Sequence, residues 1–119
     1  MEIRGYDVGP LKDLRGANLR GVDLQLKDLR GVNLRGANLR GTELWCADLR
    51  NADLRKADLR YADLRHADLR KANLRKANLW RANLWCADLR GADLWDADLR
   101  NADIRGLNLW GAKLRGVRF

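Results

Sequence analysis

The side chains most often recruited for nucleophilic or metal chemistry are Cys46, His66 and Cys86, which stand twenty residues apart. A zinc site needs its sulfur and nitrogen ligands ~2.0–2.3 Å from one ion, and its usual sequence mark is close spacing such as CxxC or HxxxH. Neither pattern occurs. His66 is the only histidine, and no nucleophile and orienting partner accompany it in a recognised motif. The chain has sixteen acidic residues, but twelve aspartates recur at one slot of a repeat, which suits turns and ladders better than a paired acid and base. The sequence therefore predicts no catalytic residue, no cofactor and no metal site.

Positive charge is what the chain holds in excess, with 24 Lys and Arg against 16 acidic residues and a net charge of +8. Such a surplus suits contact with nucleic acid, an anionic membrane or an acidic protein. Two cysteines are too few for a disulfide framework and fit a reducing compartment. No run approaches the ~20 apolar residues of a membrane span, and the start MEIRGYDVGP lacks the basic-then-apolar layout of a signal peptide. The expectation is a soluble, cytoplasmic protein with no membrane partner.

The elements that position these side chains follow from one period. A large apolar residue occurs at every fifth position from Leu14 to Phe119, and 20 of those 22 positions are Leu, Ile104 and Phe119 being the others. Ala stands two residues earlier in 15 of 22 cases, and Asp or Asn stands one residue earlier in 19. Arg follows the apolar residue 15 times and Trp five times, so that every Trp occupies this slot. On an α-helix a five-residue period steps around the cylinder and forms no stripe. In an extended segment Ala and Leu of one pentad share a face, whereas the next Leu, five positions on, would land on the opposite one. The chain must turn once per pentad. Consistent inward turning yields a closed coil with Ala and Leu inside and charge outside, and the Gly and Asn after the Arg suit its corners.

The runs of A-D/N-L-x-x, as in ADLRNADLRKADLRYADLRHADLR, resemble the pentapeptide-repeat family, and the resemblance covers residues 12–119. It implies an all-β fold, a right-handed quadrilateral parallel β-helix with four pentads to each 20-residue coil. Residues 12–119 then form about five and a half coils, a rod on the order of 25 Å long at the ~4.8 Å spacing of paired strands. Residues 1–11 form a leader that caps the first coil. Lys12 and Lys27 stand in inward slots and Leu26 at a corner, which predicts a loosened or bulged first coil with the Lys27 ammonium snorkelling to solvent. With twenty residues to a coil, Cys46, His66 and Cys86 share one column, and the backbones of the two cysteines lie about 9.6 Å apart, beyond disulfide reach.

Positions twenty apart stack, so each face can be read for charge. The faces of Leu14 and Leu19 carry net +5 and +4, those of Leu24 and Leu29 carry −2 and +2. On the first two, Arg35, Arg40, Arg55, Lys56, Arg60, Arg75, Lys76 and Arg81 form a candidate basic patch with Tyr61, Trp80 and Trp95 in or beside it. Such a patch suits phosphates and stacked bases, although repeated Asp and Arg on every coil also read as a solvated ladder of cross-strand charge pairs. The Leu24 face alternates Trp45, Arg65, Trp85 and Arg105, which predicts either cation–π stacking between coils or an aromatic stripe for a protein.

A core filled by Leu and Ala leaves no cleft, so no enzymatic activity is expected. The expected function is a structural scaffold and protein-interaction module that presents side-chain ladders to a macromolecular partner, with nucleic-acid binding through the Arg-rich faces as the competing class. The resemblance also brings in a third reading. Some family members mimic duplex DNA in shape and negative charge and engage DNA gyrase or related topoisomerases, a role the +8 charge of this chain disfavours. Family members of that group also join through their C-terminal ends. Here the repeat stops within a pentad, and Leu107, Leu109, Trp110, Leu114, Val117 and Phe119 supply the apolar end of a possible homodimer.

Overall fold

Each pentad of the repeat has five backbone N–H groups to satisfy, and in most stacked pentads the coil supplies an acceptor for all five. In the computed structural model, which describes residues 1–119, the Leu N–H donates to the next coil, as Leu34 does to the Asp53 carbonyl at 2.7 Å. The residue before Leu donates to the previous coil, as Asp53 does to Val32. The corner residue again donates upward, as Lys56 does to Arg75. The small residue donates back to the preceding Leu, as Ala57 does to Leu54 at 3.1 Å, and so closes a β-turn. The remaining N–H, that of the residue after Leu, lies at the turn and is taken by the Asp or Asn side chain two residues earlier, as in Arg55 to Asp53 Oδ1 at 3.1 Å. This last bond explains why the slot holds Asp or Asn: both have the short carbonyl reach that an Asx turn requires. Glu43, one methylene longer, instead accepts from the Gln25 side chain of the coil below at 2.8 Å.

The third residue of each turn has a left-handed backbone, from Leu11 through Gly116, with φ near 60° even where it is Tyr61, His66 or Arg81. Positive φ at that position is the mark of a type II turn, which Gly and Asn adopt with least strain. Parallel bridges link residues twenty apart, from Asp13 with Asn33 to Asp98 with Arg118, one every five residues. Four bridges per twenty residues make a square coil, wound right-handed, as the family resemblance implies. The interior is one continuous cluster of Leu, Ala and Val that runs from Val8 to Leu99.

One expectation is corrected at the N-terminal end. The first coil is not bulged: Leu14, Leu19, Leu24 and Leu29 all donate to the second coil at 2.7–2.8 Å. The ladder overrides the unfavourable side chains, because Leu26 takes the left-handed corner like any other residue and its N–H bonds Trp45 O at 3.0 Å. Lys27 keeps a half-buried position, and Lys12 reaches Asp7 at 2.9 Å. The leader supplies that aspartate. Its strands β1 (Glu2–Ile3) and β2 (Tyr6–Asp7) form an antiparallel hairpin that lays Val8 onto the core, and the Tyr6 hydroxyl accepts the Asn18 N–H at 3.2 Å. With this hairpin the Cα trace measures 35 × 21 × 21 Å, longer than the repeat alone predicts. No helix is long and apolar enough to cross a membrane.

Candidate functional site

The corners are where side chains meet solvent, and their electrostatics begin within the pentad. Every Asp-Leu-Arg segment, and Asp103-Ile104-Arg105, folds its guanidinium back onto its own carboxylate. In Arg50 the Nε and Nη2 groups donate to the two oxygens of Asp48 at 2.8 and 2.6 Å, a bidentate pair. The geometry repeats at Arg15, Arg30, Arg55, Arg60, Arg65, Arg70, Arg90, Arg100 and Arg105. The expected cross-strand charge pairs are present but secondary to these, except for Arg75 with Asp93. Pairs between coils are longer, 3.7–3.9 Å on the Leu29 face, because the turn already aims each Arg at its own Asp. The Arg30 guanidinium pulls the Asp28 carboxyl down to about 2, and pairing with the arginine of the same pentad lowers Asp48, Asp53, Asp58 and Asp63 below the usual carboxylate range.

These pairs divide the predicted basic patch in two. Arg55 and Arg60 are neutralised by Asp53 and Asp58, and Arg75 reaches up one coil to Asp93 while lying over the Trp95 ring at 5.2 Å. Arg35, Arg40, Lys56, Lys76 and Arg81 form no ion pair. Arg35 and Arg40 follow Asn33 and Asn38, whose side-chain oxygens accept the turn N–H at 3.1 Å as an aspartate would but carry no charge. The fields of Arg35 and Arg40 still reach Asp53 and Asp58, each already held by its own arginine. Asn at this slot therefore leaves the fold unchanged and gives the next arginine no partner within its own pentad. That role is legible in the alternation of Asp and Asn along the sequence, although the charge count alone passes over it.

The structure brings Arg35, Arg55, Lys56, Arg75, Lys76 and Trp95 together along one shallow groove at the corner after the Leu14 face. Arg40, Arg60 and Arg81 stand at the next corner with Tyr61 and Trp80. There Arg40 lies over the Tyr61 ring at 5.4 Å, Arg81 over the Trp80 ring at 4.9 Å, and the two rings meet edge to face at 5.4 Å. Cation–π contacts thus occur at these corners and not on the Leu24 face, which corrects the expectation of Trp–Arg stacking there. On that face Arg65 and Arg105 turn instead to Asp63 and Asp103, and Trp85, 42% exposed, packs against the His66 ring at 5.0 Å. Cys46 and Cys86 in the same column are free thiols, and a Cβ on Gly106 would meet Cys86 Sγ at 2.8 Å.

Toward Phe119 the apolar side chains of the ladder are less buried than in the middle of the rod. Leu107, Leu109 and Val117 are half-buried, while Leu114, Phe119 and Trp110 are exposed, Trp110 by 80%. Ile104 joins them with 40% exposure, a residue outside the predicted end, which takes in only the last three pentads.

The family model for pentapeptide repeats matches eight copies, over residues 13–44, 33–70, 47–85 and 82–119. Among solved structures, the pentapeptide repeat protein Rfr23 from the cyanobacterium Cyanothece 51142 is 33% identical, with 89% of this chain and 86% of that chain covered and a TM-score of 0.85. A pentapeptide repeat protein from the Arabidopsis thaliana thylakoid lumen is 38% identical over 75% of this chain and 66% of that one, with a TM-score of 0.58. A search of curated proteins finds no match.

Proposed function

Because the chain belongs to the pentapeptide-repeat family, we propose that it acts as a non-enzymatic scaffold that binds a macromolecular partner through the side chains of its corners. The observation that carries this reading is the division of labour within the pentad: backbone and interior are satisfied in the same way on every coil, so the corner residues carry the variation. The pockets are shallow grooves lined by these corner residues, and none opens into the core. The cluster of unpaired cations at two adjacent corners supports the nucleic-acid class over the aromatic stripe, and it opposes mimicry of duplex DNA, which requires the reverse charge.

A pull-down from the native host with the immobilised chain, one arm treated with nuclease, tests the reading. A partner should be captured by the parent chain and lost when Arg35, Lys56, Lys76 and Arg81 are all replaced by Ser, with the β-rich circular-dichroism spectrum intact. Capture in neither arm overturns the scaffold reading.

Self-association at the open end is a second component of this proposal, supported by the exposed Ile104, Leu114 and Phe119. A two-fold end-to-end dimer buries these residues together with Leu107 and Leu109. Sedimentation at tens of micromolar should show a dimer that Leu114→Asp converts to monomer. A clean monomer for the parent chain rules the interface out.

A further inference from the structure

We propose that the strip formed by Arg35, Arg40, Lys56, Lys76 and Arg81 binds single-stranded nucleic acid along the rod axis, an inference that rests on the scaffold reading and names its partner. Wherever Asp precedes Leu and Arg follows it, the carboxylate holds the arginine of its own pentad, so an arginine in that slot is free only where the acid is missing. Of the arginines after Asn18, Asn33, Asn38 and Asn73, that of Asn73 is recaptured by Asp93 and Arg20 stands on the first coil outside the strip, which leaves Arg35 and Arg40. These two stand one pentad apart on the second coil, below the corner cations Lys56, Lys76 and Arg81 of the third and fourth coils. The free cations are thus continuous across two corners and several coils, unlike the Leu24 face, which has none.

Phosphate suits this strip because an unpaired guanidinium offers two parallel N–H donors to two phosphate oxygens. From Arg35 to Trp95 the groove rises three coils, ~14 Å at the spacing of paired strands, and one strand places a phosphate every ~3.4 Å when stacked as in B-form. Several phosphates therefore face the strip at once. The aromatic rings decide between a nucleic acid and an acidic peptide. Tyr61 is 44% exposed within the strip, and Trp80 and Trp95 line it half-buried with Arg81 and Arg75 on their rings. Bases stack on such rings, and arginine adds to that stacking. An acidic peptide would satisfy the charges alone.

The Asp and Asn slots give a test that changes no cation. Asn33→Asp with Asn38→Asp should bring Arg35 and Arg40 into the bidentate geometry seen at Arg55 and Arg60, with the turn N–H still satisfied. Asp53→Asn with Asp58→Asn should do the opposite and release two more arginines. Fluorescence anisotropy with a labelled oligothymidylate reads both. The five free cations predict a slope of log affinity against log salt of about −3.5, a loss of about a hundredfold between ~50 and ~200 mM. The N33D/N38D variant should flatten the slope to about −2 and weaken binding about tenfold or more at ~50 mM salt, and D53N/D58N should steepen it to about −5. Circular dichroism and the melting temperature establish that each variant is folded. If folded N33D/N38D binds like the parent, or if poly-glutamate competes as well as the oligonucleotide, the strip does not recognise nucleic acid. A protein captured in the nuclease-treated arm of the pull-down would leave the scaffold reading standing and overturn this one.

Discussion

Leu64→Ala, and independently Leu69→Ala, are expected to destabilise the rod by ~2–5 kcal/mol, the range for removing a buried leucine from a packed interior. Both side chains are fully buried and lie in the middle of the rod, where Leu64 is bonded upward to Asn83 and its pentad downward to Thr42. The cavity is enclosed by other leucines and by the coils above and below. Those coils are fixed by backbone ladders, so they have little freedom to collapse into it. Denaturant titration should show a lower midpoint with little change in slope, because the surface exposed on unfolding is nearly constant. Ile104→Ala removes as much hydrocarbon from the half-open last coil and should cost far less. A loss under about 0.5 kcal/mol at Leu64 contradicts the inward register of the repeat.

Ala67→Asp should have the larger effect and abolish the folded rod at room temperature. The Ala67 side chain is fully buried in the same layer as Leu69, and the backbone N–H groups around it are already taken by the ladder. A carboxylate there would be desolvated without a partner, at a cost of several kcal/mol that a domain of this size does not have in reserve. A polar residue that the inward slots do accept shows the condition for acceptance: Thr42 is fully buried, and its hydroxyl donates to Leu19 O at 2.7 Å. Ala67→Thr should therefore be tolerated. Lys71→Asp, four residues along at an exposed corner, should leave the circular-dichroism spectrum unchanged.

The inward slots, the turn after each Leu and the length of a coil are legible in the sequence because each follows from counting by five, with the family resemblance supplying four pentads to the coil. Leu64, Ala67 and Lys71 fall where that count puts them. What does not follow from the count is the direction in which a side chain turns. Whether Arg50 reaches up to Asp68 or back to Asp48 depends on the angle of the turn, and both partners are equally available in the sequence. The same geometry takes Arg65 away from Trp85 and gives Arg75 to Trp95. At the first coil, Lys27 and Leu26 are poor choices for their slots, yet neighbouring backbone bonds outweigh them, and a reading of one pentad at a time cannot weigh its neighbours.

Since each pentad makes the same bonds on whichever side of the square it falls, the coil has no means of recognising which side that is. Loss of five residues, such as 42–46, would leave the interior continuous but advance all that follows by a quarter turn, so that Arg60 in place of Arg55 stacked upon Arg35. Folding here obeys a phase of five and the surface a phase of twenty. Slippage by single repeats during copying of a gene with this pattern would reshuffle the exterior while selection on stability remained blind to the change.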